Sequence, residues 1–151
     1  MSTLLPSLKD SVVDKTVAVM ARRLLPSASR IAGDLRVPHA VGPLAEALGR
    51  SAAAADITVV FGASAVADIA DVVPAAIVAA GGHVRHLGMP VDPGNLLVLG
   101  ELGGKPVIGA PGCARSPKEN GFDWVLQRLI AGLEVTPADI TGLGVGGLLM
   151  D

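Results

Sequence analysis

The sequence contains no tyrosine, and aromatic side chains make up only 2% of its 151 residues. Because half of the residues are nonetheless hydrophobic, the core must be filled by valine, leucine, isoleucine and alanine. A core of this kind suits parallel strands that are buried on both faces. The shortage of aromatic rings also argues against a protein that stacks the bases of single-stranded nucleic acid.

The chain also lacks a block of basic residues. Its 12 lysines and arginines face 14 aspartates and glutamates, which gives a formal net charge of -2. A protein that binds the phosphates of nucleic acid needs a basic surface. The composition therefore excludes nucleic acid as the expected partner.

Two further shortages concern the compartment and the membrane. One cysteine cannot form an intramolecular disulfide, and the first residues lack the basic and apolar regions of a signal peptide, so we predict a cytoplasmic protein. Asp56, Asp68, Asp71 and frequent glycines interrupt the apolar stretches before any reaches the roughly 18 residues of a membrane span. The sequence predicts a soluble domain that does not enter a membrane.

Periodic apolar residues and turn residues predict alternating helices and strands. Helices are predicted from Ser11 to before Pro26, around 44–55, between Asp71 and Gly81, from near Lys118 to Leu133, and in a short segment capped by Thr136. Strands are predicted at 56–62 and 83–90, in a hairpin around Gly103-Gly104, and in a loosely alternating segment at 28–36. This order predicts a three-layer α/β/α domain with a mainly parallel sheet plus a hairpin.

All 151 residues are assigned to this one domain. No strand is expected before the first helix, because only Met1 to Leu5 precede the polar loop that leads into it. The glycine-rich tail at 144–151 stops abruptly. We therefore expect the chain to be one part of a longer protein.

Three loops that follow predicted strands carry small, polar or turn-forming residues, and they lie at 62–71, 88–95 and 109–124. Because open α/β sheets bind ligands outside the carboxyl ends of their strands, we expect the three loops at one ligand-binding edge. The candidate binding residues are Gly62, Ala63, Ser64, Ala65 and Asp68 in the first loop, Asp92, Pro93, Gly94 and Asn95 in the second, and Pro111, Gly112, Cys113, Ala114, Arg115 and Ser116 in the third.

The third loop has the features of an anion site. Its Pro111-Gly112 turn leads into a helix predicted to start near Lys118, and Arg115 lies between them. A helix N-terminus offers N–H groups and a partial positive charge to an anion. Phosphate is the anion that we expect there.

Asp71 has two possible roles. It can be the N-cap of the following helix, or it can hold Mg²⁺ or act as an acid/base group, with Asp68 close enough to share the cation. Cys113 can be a nucleophile or can simply fill a tight turn, and no histidine lies near it in the sequence. His39, His83 and His86 are expected to be structural.

In this order, the segments GASA at 62–65, DVVP at 71–74, MPVDPGN at 89–95 and GAPGCARSP at 109–117 resemble the motifs of the molybdopterin-binding domain. MogA-like adenylyltransferases and MoeA-like molybdenum insertases of molybdenum-cofactor biosynthesis share that domain. The resemblance covers about residues 56–133. It is closest to a subgroup that is often fused to a nucleotidyltransferase-like domain, which such a resemblance implies as a partner here.

The resemblance implies a molybdopterin site at this edge. Asp71 takes the position of the essential acidic residue of the family, as a catalytic residue or a Mg²⁺ ligand. Gly62 to Ala65 would line the pterin or pyrophosphate, and Gly112 to Ser116 would contribute to the anion site. Adenylyl transfer would use ATP and Mg²⁺, and insertion would use molybdate.

Three hypotheses follow. The domain either adenylylates molybdopterin or inserts molybdate; or it holds the pterin without catalysis; or it is a generic nucleotide-binding or phospho-sugar-binding α/β domain. GASA lacks the second and last glycines of the Gly-Gly-Thr-Gly form of the family, which favours binding over adenylyl transfer. An unpaired sheet edge seeks a partner, so a homo-oligomer is expected.

Overall fold

A computed structural model describes residues 1–144, which form a six-stranded sheet in the order β2-β1-β3-β6-β5-β4. The strands are β1 (Ser2–Leu4), β2 (Arg36–Pro38), β3 (Thr58–Phe61), β4 (His83–Leu87), β5 (Val98–Leu102) and β6 (Lys105–Ala110). β1, β2, β3 and β6 are parallel, and β5 pairs antiparallel with both β6 and β4. Five strands therefore run in one direction and only β5 opposes them.

Within residues 1–144, five α-helices cover the two faces of this sheet: α1 (Asp10–Leu24), α2 (Val41–Ala54), α3 (Val72–Ala79), α4 (Gly121–Ile130) and α5 (Pro137–Gly142). One apolar cluster joins α1, α4 and α5 to one face, and a second joins α2 and α3 to the other. Successive residues of a strand belong to different clusters, as Val107 and Ile108 do on β6, because their side chains point to opposite faces of the sheet. The three-layer fold and its hairpin are confirmed.

The expectation that no strand precedes the first helix is wrong. β1 lies between β2 and β3, where Ser2 N–H donates to Leu35 O at 2.8 Å and Phe61 N–H donates to Met1 O at 3.0 Å. Ser2 and Thr3 are buried polar residues, so this short strand has no apolar pattern by which the sequence could reveal it.

Several predicted boundaries also differ from the structure: the strand expected at 83–90 ends at Leu87, and the helix expected to reach Leu133 ends at Ile130. Within 28–36 only Arg36 belongs to a strand, β2. The helix expected from near Lys118 begins at Gly121, because Asn120 caps it through a hydrogen bond from Phe122 N–H. The tail at 145–151 lies outside the described residues. Within 1–144, no helix has both the length and the apolar character that crossing a membrane requires.

Candidate functional site

The loops after β3, β4 and β6 leave the sheet at the same edge, because these strands run in the same direction. β1 and β3 are neighbours in the sheet, but α1 follows β1 on one face and α3 follows β3 on the other. Such a divergence opens a crevice at the carboxyl ends of the strands, where open α/β sheets bind ligands. The structure thus places the three predicted loops at the edge that contains this crevice.

The start of the first loop, Gly62 to Ala65, is hydrogen-bonded to β1 and to the residue that follows β2. Ala63 N–H donates to Thr3 Oγ1 at 2.8 Å, and Ser64 Oγ lies 2.9 Å from His39 Nε2. A Cβ added at Gly62 would lie 2.9 Å from the backbone oxygen of Ser64. This position therefore requires glycine, and Ser64, two residues after it, is exposed.

Arg115 connects the first loop to the third. Its Nη2 donates to Gly62 O at 3.0 Å and its Nη1 donates to Thr16 Oγ1 on α1 at 2.8 Å. The guanidinium carbon lies 5.4 Å from the centre of the Phe61 ring, a cation–π contact. Burial lowers the pKa of Arg115, but an arginine keeps its charge in proteins. A half-buried positive charge therefore lies beside Gly62.

Arg23, on α1, holds the third loop in place. Its Nε donates to Asp123 Oδ1 at 2.6 Å, its Nη1 to Ala114 O at 2.7 Å, and its Nη2 to Ser116 O at 2.7 Å. All three guanidinium nitrogens are therefore engaged. Arg23 shapes the loop that carries Arg115 and has a structural role.

The N-terminus of α4 does not form the expected anion site. Gly121 N–H donates to Pro93 O at 3.0 Å, Phe122 N–H donates to Asn120 Oδ1 at 3.1 Å, and Asp123 N–H donates to Asn120 O at 2.9 Å. These three amides are thus already used within the fold. These amides are therefore not available to an anion, and the anion site expected at the third loop stays a prediction that now rests on Arg115.

The second loop supports α4. Gly94 has φ +130°, and a Cβ added there would lie 2.9 Å from both Cα and N of Gly121. The backbone of the loop thus lies directly against the helix start. Asp92 and Asn95 are exposed, and Pro93 contributes the carbonyl that receives Gly121 N–H. Among the described residues, the backbone hydrogen bonds of this loop connect it to α4, to Leu97 just before β5, and to itself.

We expect Gly94→Ala to lower the free energy of unfolding by about 1–3 kcal/mol, because a methyl group would enter occupied space and a side chain disfavours this φ. Urea denaturation measures the change. Gly112→Ala is the matched control, because a Cβ at Gly112 meets nothing within 4 Å. Equal stability of the two variants would contradict the close approach of the loop to α4.

Cys113 lies in a 3₁₀ turn, Gly112–Arg115, that follows the buried Pro111. Burial raises the pKa of the Cys113 thiol, and the negative charge of Asp92 adds to that rise. A nucleophilic cysteine needs the opposite shift. The turn-filling role of Cys113 is therefore favoured over the nucleophilic one.

Asp71 immediately precedes α3, but its carboxylate does not cap that helix. Instead its Oδ2 accepts hydrogen bonds from Ala67 N–H at 2.8 Å and Asp68 N–H at 2.9 Å. These bonds lower the pKa of Asp71. Asp68 Oδ1 accepts from Ala70 N–H at 2.7 Å. Within residues 1–144, no three acidic, histidine or cysteine side chains cluster as a metal site would need, so magnesium binding remains a prediction.

The hydrogen bonds to Asp71 predict how the loop responds to pH. Because folding lowers this pKa, the stabilisation is complete above the unfolded value of about 3.9 and is lost as the pH falls through the lower folded value. We expect protection of the Ala67 and Asp68 amides in hydrogen-exchange NMR to fall in that acidic range. Asp71→Asn, which retains an acceptor oxygen, should remove the pH dependence; a profile identical to wild type would contradict the assignment.

A cavity of about 690 Å³ lies at the opposite edge of the sheet. It is lined mainly by residues 28–35 and by the end of α2 with the turn that follows it, and also by parts of α1, β1 and β3. Its size suits a small ligand, but none of the candidate binding residues lines it. Ligands of open α/β sheets bind at the carboxyl edge, so we place the candidate site in the crevice at that edge.

Sequence reasoning missed four residues that build this site: Thr3, Thr16, Arg23 and His39. Thr3, Thr16 and Arg23 lie on β1 and α1, far from the loops in sequence, and no local pattern connects them to the loops. His39 follows a strand at the same edge, as the three loops do. That position was the available signal for His39.

No family model and no curated protein sequence matches this chain. Among solved structures, the chain is similar to a MoeA molybdopterin biosynthesis protein from Pyrococcus horikosii, with 21% sequence identity and a TM-score of 0.59. The match covers 87% of this chain and 34% of that one, so the chain spans about a third of the length of that structure. The fold implied by the resemblance is therefore confirmed: the chain has a MogA/MoeA-like fold.

Proposed function

We propose that this domain binds molybdopterin, a pterin that carries a phosphate, in the crevice at the carboxyl ends of β1, β3 and β6. The observation that carries the proposal is the half-buried guanidinium of Arg115 beside Gly62. Two of its five N–H donors are used by Thr16 and Gly62 within the described residues, which leaves donors for a phosphate oxygen. A solved structure with a similar fold is a molybdopterin biosynthesis protein, which supports a pterin as the ligand.

The first test is to identify what the purified protein carries. Mass spectrometry of the released small molecules should find molybdopterin or a derivative, and titration calorimetry should detect binding of added molybdopterin. A different nucleotide or phospho-sugar in the released fraction would favour the generic α/β hypothesis. An absence of heat on addition of molybdopterin would contradict the proposal.

A holding role fits the contacts of Asp71 better than adenylyl transfer does. The carboxylate of Asp71 binds the backbone of its own loop, and in adenylyl transfer the same group would also have to hold Mg²⁺. Pyrophosphate release from ATP in the presence of molybdopterin distinguishes adenylyl transfer from holding. Release that disappears in Asp71→Asn would favour adenylyl transfer, whereas binding without release supports the holding role.

The expected homo-oligomer and the expected fusion to a nucleotidyltransferase-like domain remain predictions. The two edge strands of the described sheet are β2 and β4, and an exposed strand edge can pair with another chain. Light scattering coupled to size-exclusion chromatography tests for a homo-oligomer. A fused nucleotidyltransferase-like domain would be the natural recipient of a pterin held here.

A further inference from the structure

Ser64 and His39 form a pair whose geometry is that of a nucleophile and its base. Ser64 Oγ lies 2.9 Å from His39 Nε2, within the range over which a histidine activates a serine. His39 Nδ1 is in turn 2.7 Å from Thr3 Oγ1. Which atom carries the proton decides whether His39 can act as a base.

Thr3 decides this question. Its side chain is fully buried, with 0% exposure, and its Oγ1 already accepts a hydrogen bond from Ala63 N–H at 2.8 Å. The hydroxyl has one proton of its own, and among the described residues His39 Nδ1 is the acceptor within hydrogen-bond distance. A buried donor left without an acceptor is costly. The Thr3 proton therefore goes to His39 Nδ1.

The tautomer of His39 follows from that bond. A neutral imidazole that accepts at Nδ1 carries its proton on Nε2, so Nε2–H donates to Ser64 Oγ. This is the reverse of the arrangement in a catalytic serine, where the unprotonated histidine nitrogen accepts from the hydroxyl. Since His39 donates to it, Ser64 must direct its own proton elsewhere, and its side chain is exposed at the crevice.

We propose that Thr3 and His39 are positioning residues that make the Ser64 hydroxyl a fixed hydrogen-bond donor to an oxygen of the bound ligand. The ligand part rests on the proposed function, whereas the tautomer rests on the hydrogen bonds alone. Ser64 then works beside Arg115, which is fixed to the same loop through Gly62 O. Their shared target is an anionic oxygen such as that of a phosphate.

The tautomer is tested without any ligand. Nitrogen-15 NMR of the histidine rings should show His39 protonated at Nε2, and a fluorophosphonate probe should leave Ser64 unlabelled. An Nδ1–H tautomer would overturn the proposal. So would probe labelling that Ser64→Ala abolishes, because a reactive serine requires His39 to act as its base.

The ligand part of the proposal is tested with two variants that each preserve one of the two hydrogen bonds of His39. The amide of His39→Gln can reach the position of Nε2 and donate to Ser64, whereas the amide of His39→Asn can reach Thr3 only. In calorimetry with molybdopterin, we expect His39→Asn and Ser64→Ala to weaken binding about tenfold, and His39→Gln to stay within about threefold of wild type. Wild-type affinity in His39→Asn would overturn the proposal.

The two proposals fail in different ways. If wild-type protein binds no molybdopterin, the proposed function fails and the ligand role of Ser64 fails with it, while NMR still decides the tautomer. If wild type binds and all four proteins have equal affinity, the proposed function stands and the role of Ser64 is wrong. Thermal unfolding of each variant identifies any loss of affinity that comes from misfolding.

Discussion

Replacing Arg23 by alanine is expected to lower the free energy of unfolding by about 3–5 kcal/mol, the cost of breaking a buried ion pair by removing one partner. The side chains of Arg23 and Asp123 are 9% and 10% exposed, so the carboxylate would lose its counter-charge where water cannot replace it. The carbonyls of Ala114 and Ser116 would also lose their donors. A domain has only about 5–15 kcal/mol in total, so urea denaturation should show a large change.

The neighbouring Arg22 supplies the control. Arg22 is exposed on the same helix, and a surface substitution such as Arg22→Ala should change stability by about 0.5 kcal/mol or less. Hydrogen exchange should accelerate at residues 113–119 in Arg23→Ala and stay unchanged in Arg22→Ala. A loss in Arg23→Ala of less than about 1 kcal/mol, typical of an exposed pair, would show that the ion pair is not buried in solution.

The layers of the fold could be predicted from the sequence because each depends on a local pattern. The apolar spacing of Phe122, Val125 and Leu126 marks the buried face of α4, and all three residues are buried there. Gly103-Gly104 marks the hairpin, where both glycines have positive φ. In such segments, local preference and tertiary packing favour the same structure.

β1 and the start of α4 could not be predicted, for physical reasons. The central position of β1 depends on pairing with residues more than 30 positions away, such as Ser2 with Arg36. At α4, several turn-forming residues precede the apolar run, and the choice of Asn120 as the cap depends on its bonds with Asp123 and Phe122. Pairing and capping partners of this kind are set by the folded structure.

The candidate site, like the fold, was only partly predictable from the sequence. The sequence predicted the loops and their common edge, since both follow from strand direction. It did not predict how the loops are held, because Arg23 and Asp123 are 100 positions apart. The consequence concerns charge: of the basic residues expected around the third loop, Arg115 lies at the crevice and Lys118 is exposed on the loop surface.

This difference between Arg115 and Lys118 leads to the prediction with the largest expected effect on binding. We expect Arg115→Ala to weaken the affinity for molybdopterin roughly 10- to 100-fold in calorimetry, the range for losing a hydrogen bond to a charged group. Lys118→Ala should have little effect, because an exposed charge is screened by solvent. Arg115→Lys should be intermediate, because it retains the charge but not the planar set of donors.

Because Arg115 also binds Thr16 and Gly62, its loss could weaken binding by disturbing the loop alone. A thermodynamic cycle that combines Arg115→Ala with dephosphorylated molybdopterin separates a lost phosphate contact from a disturbed loop. If Arg115 pairs with the phosphate, Arg115→Ala should lower the affinity for dephosphorylated molybdopterin only slightly. High salt should then weaken the binding of molybdopterin to the wild type more than to Arg115→Ala. An equal loss of affinity with both ligands would mean that Arg115 only supports the loop, and the anion-binding role in the proposed function would then be wrong.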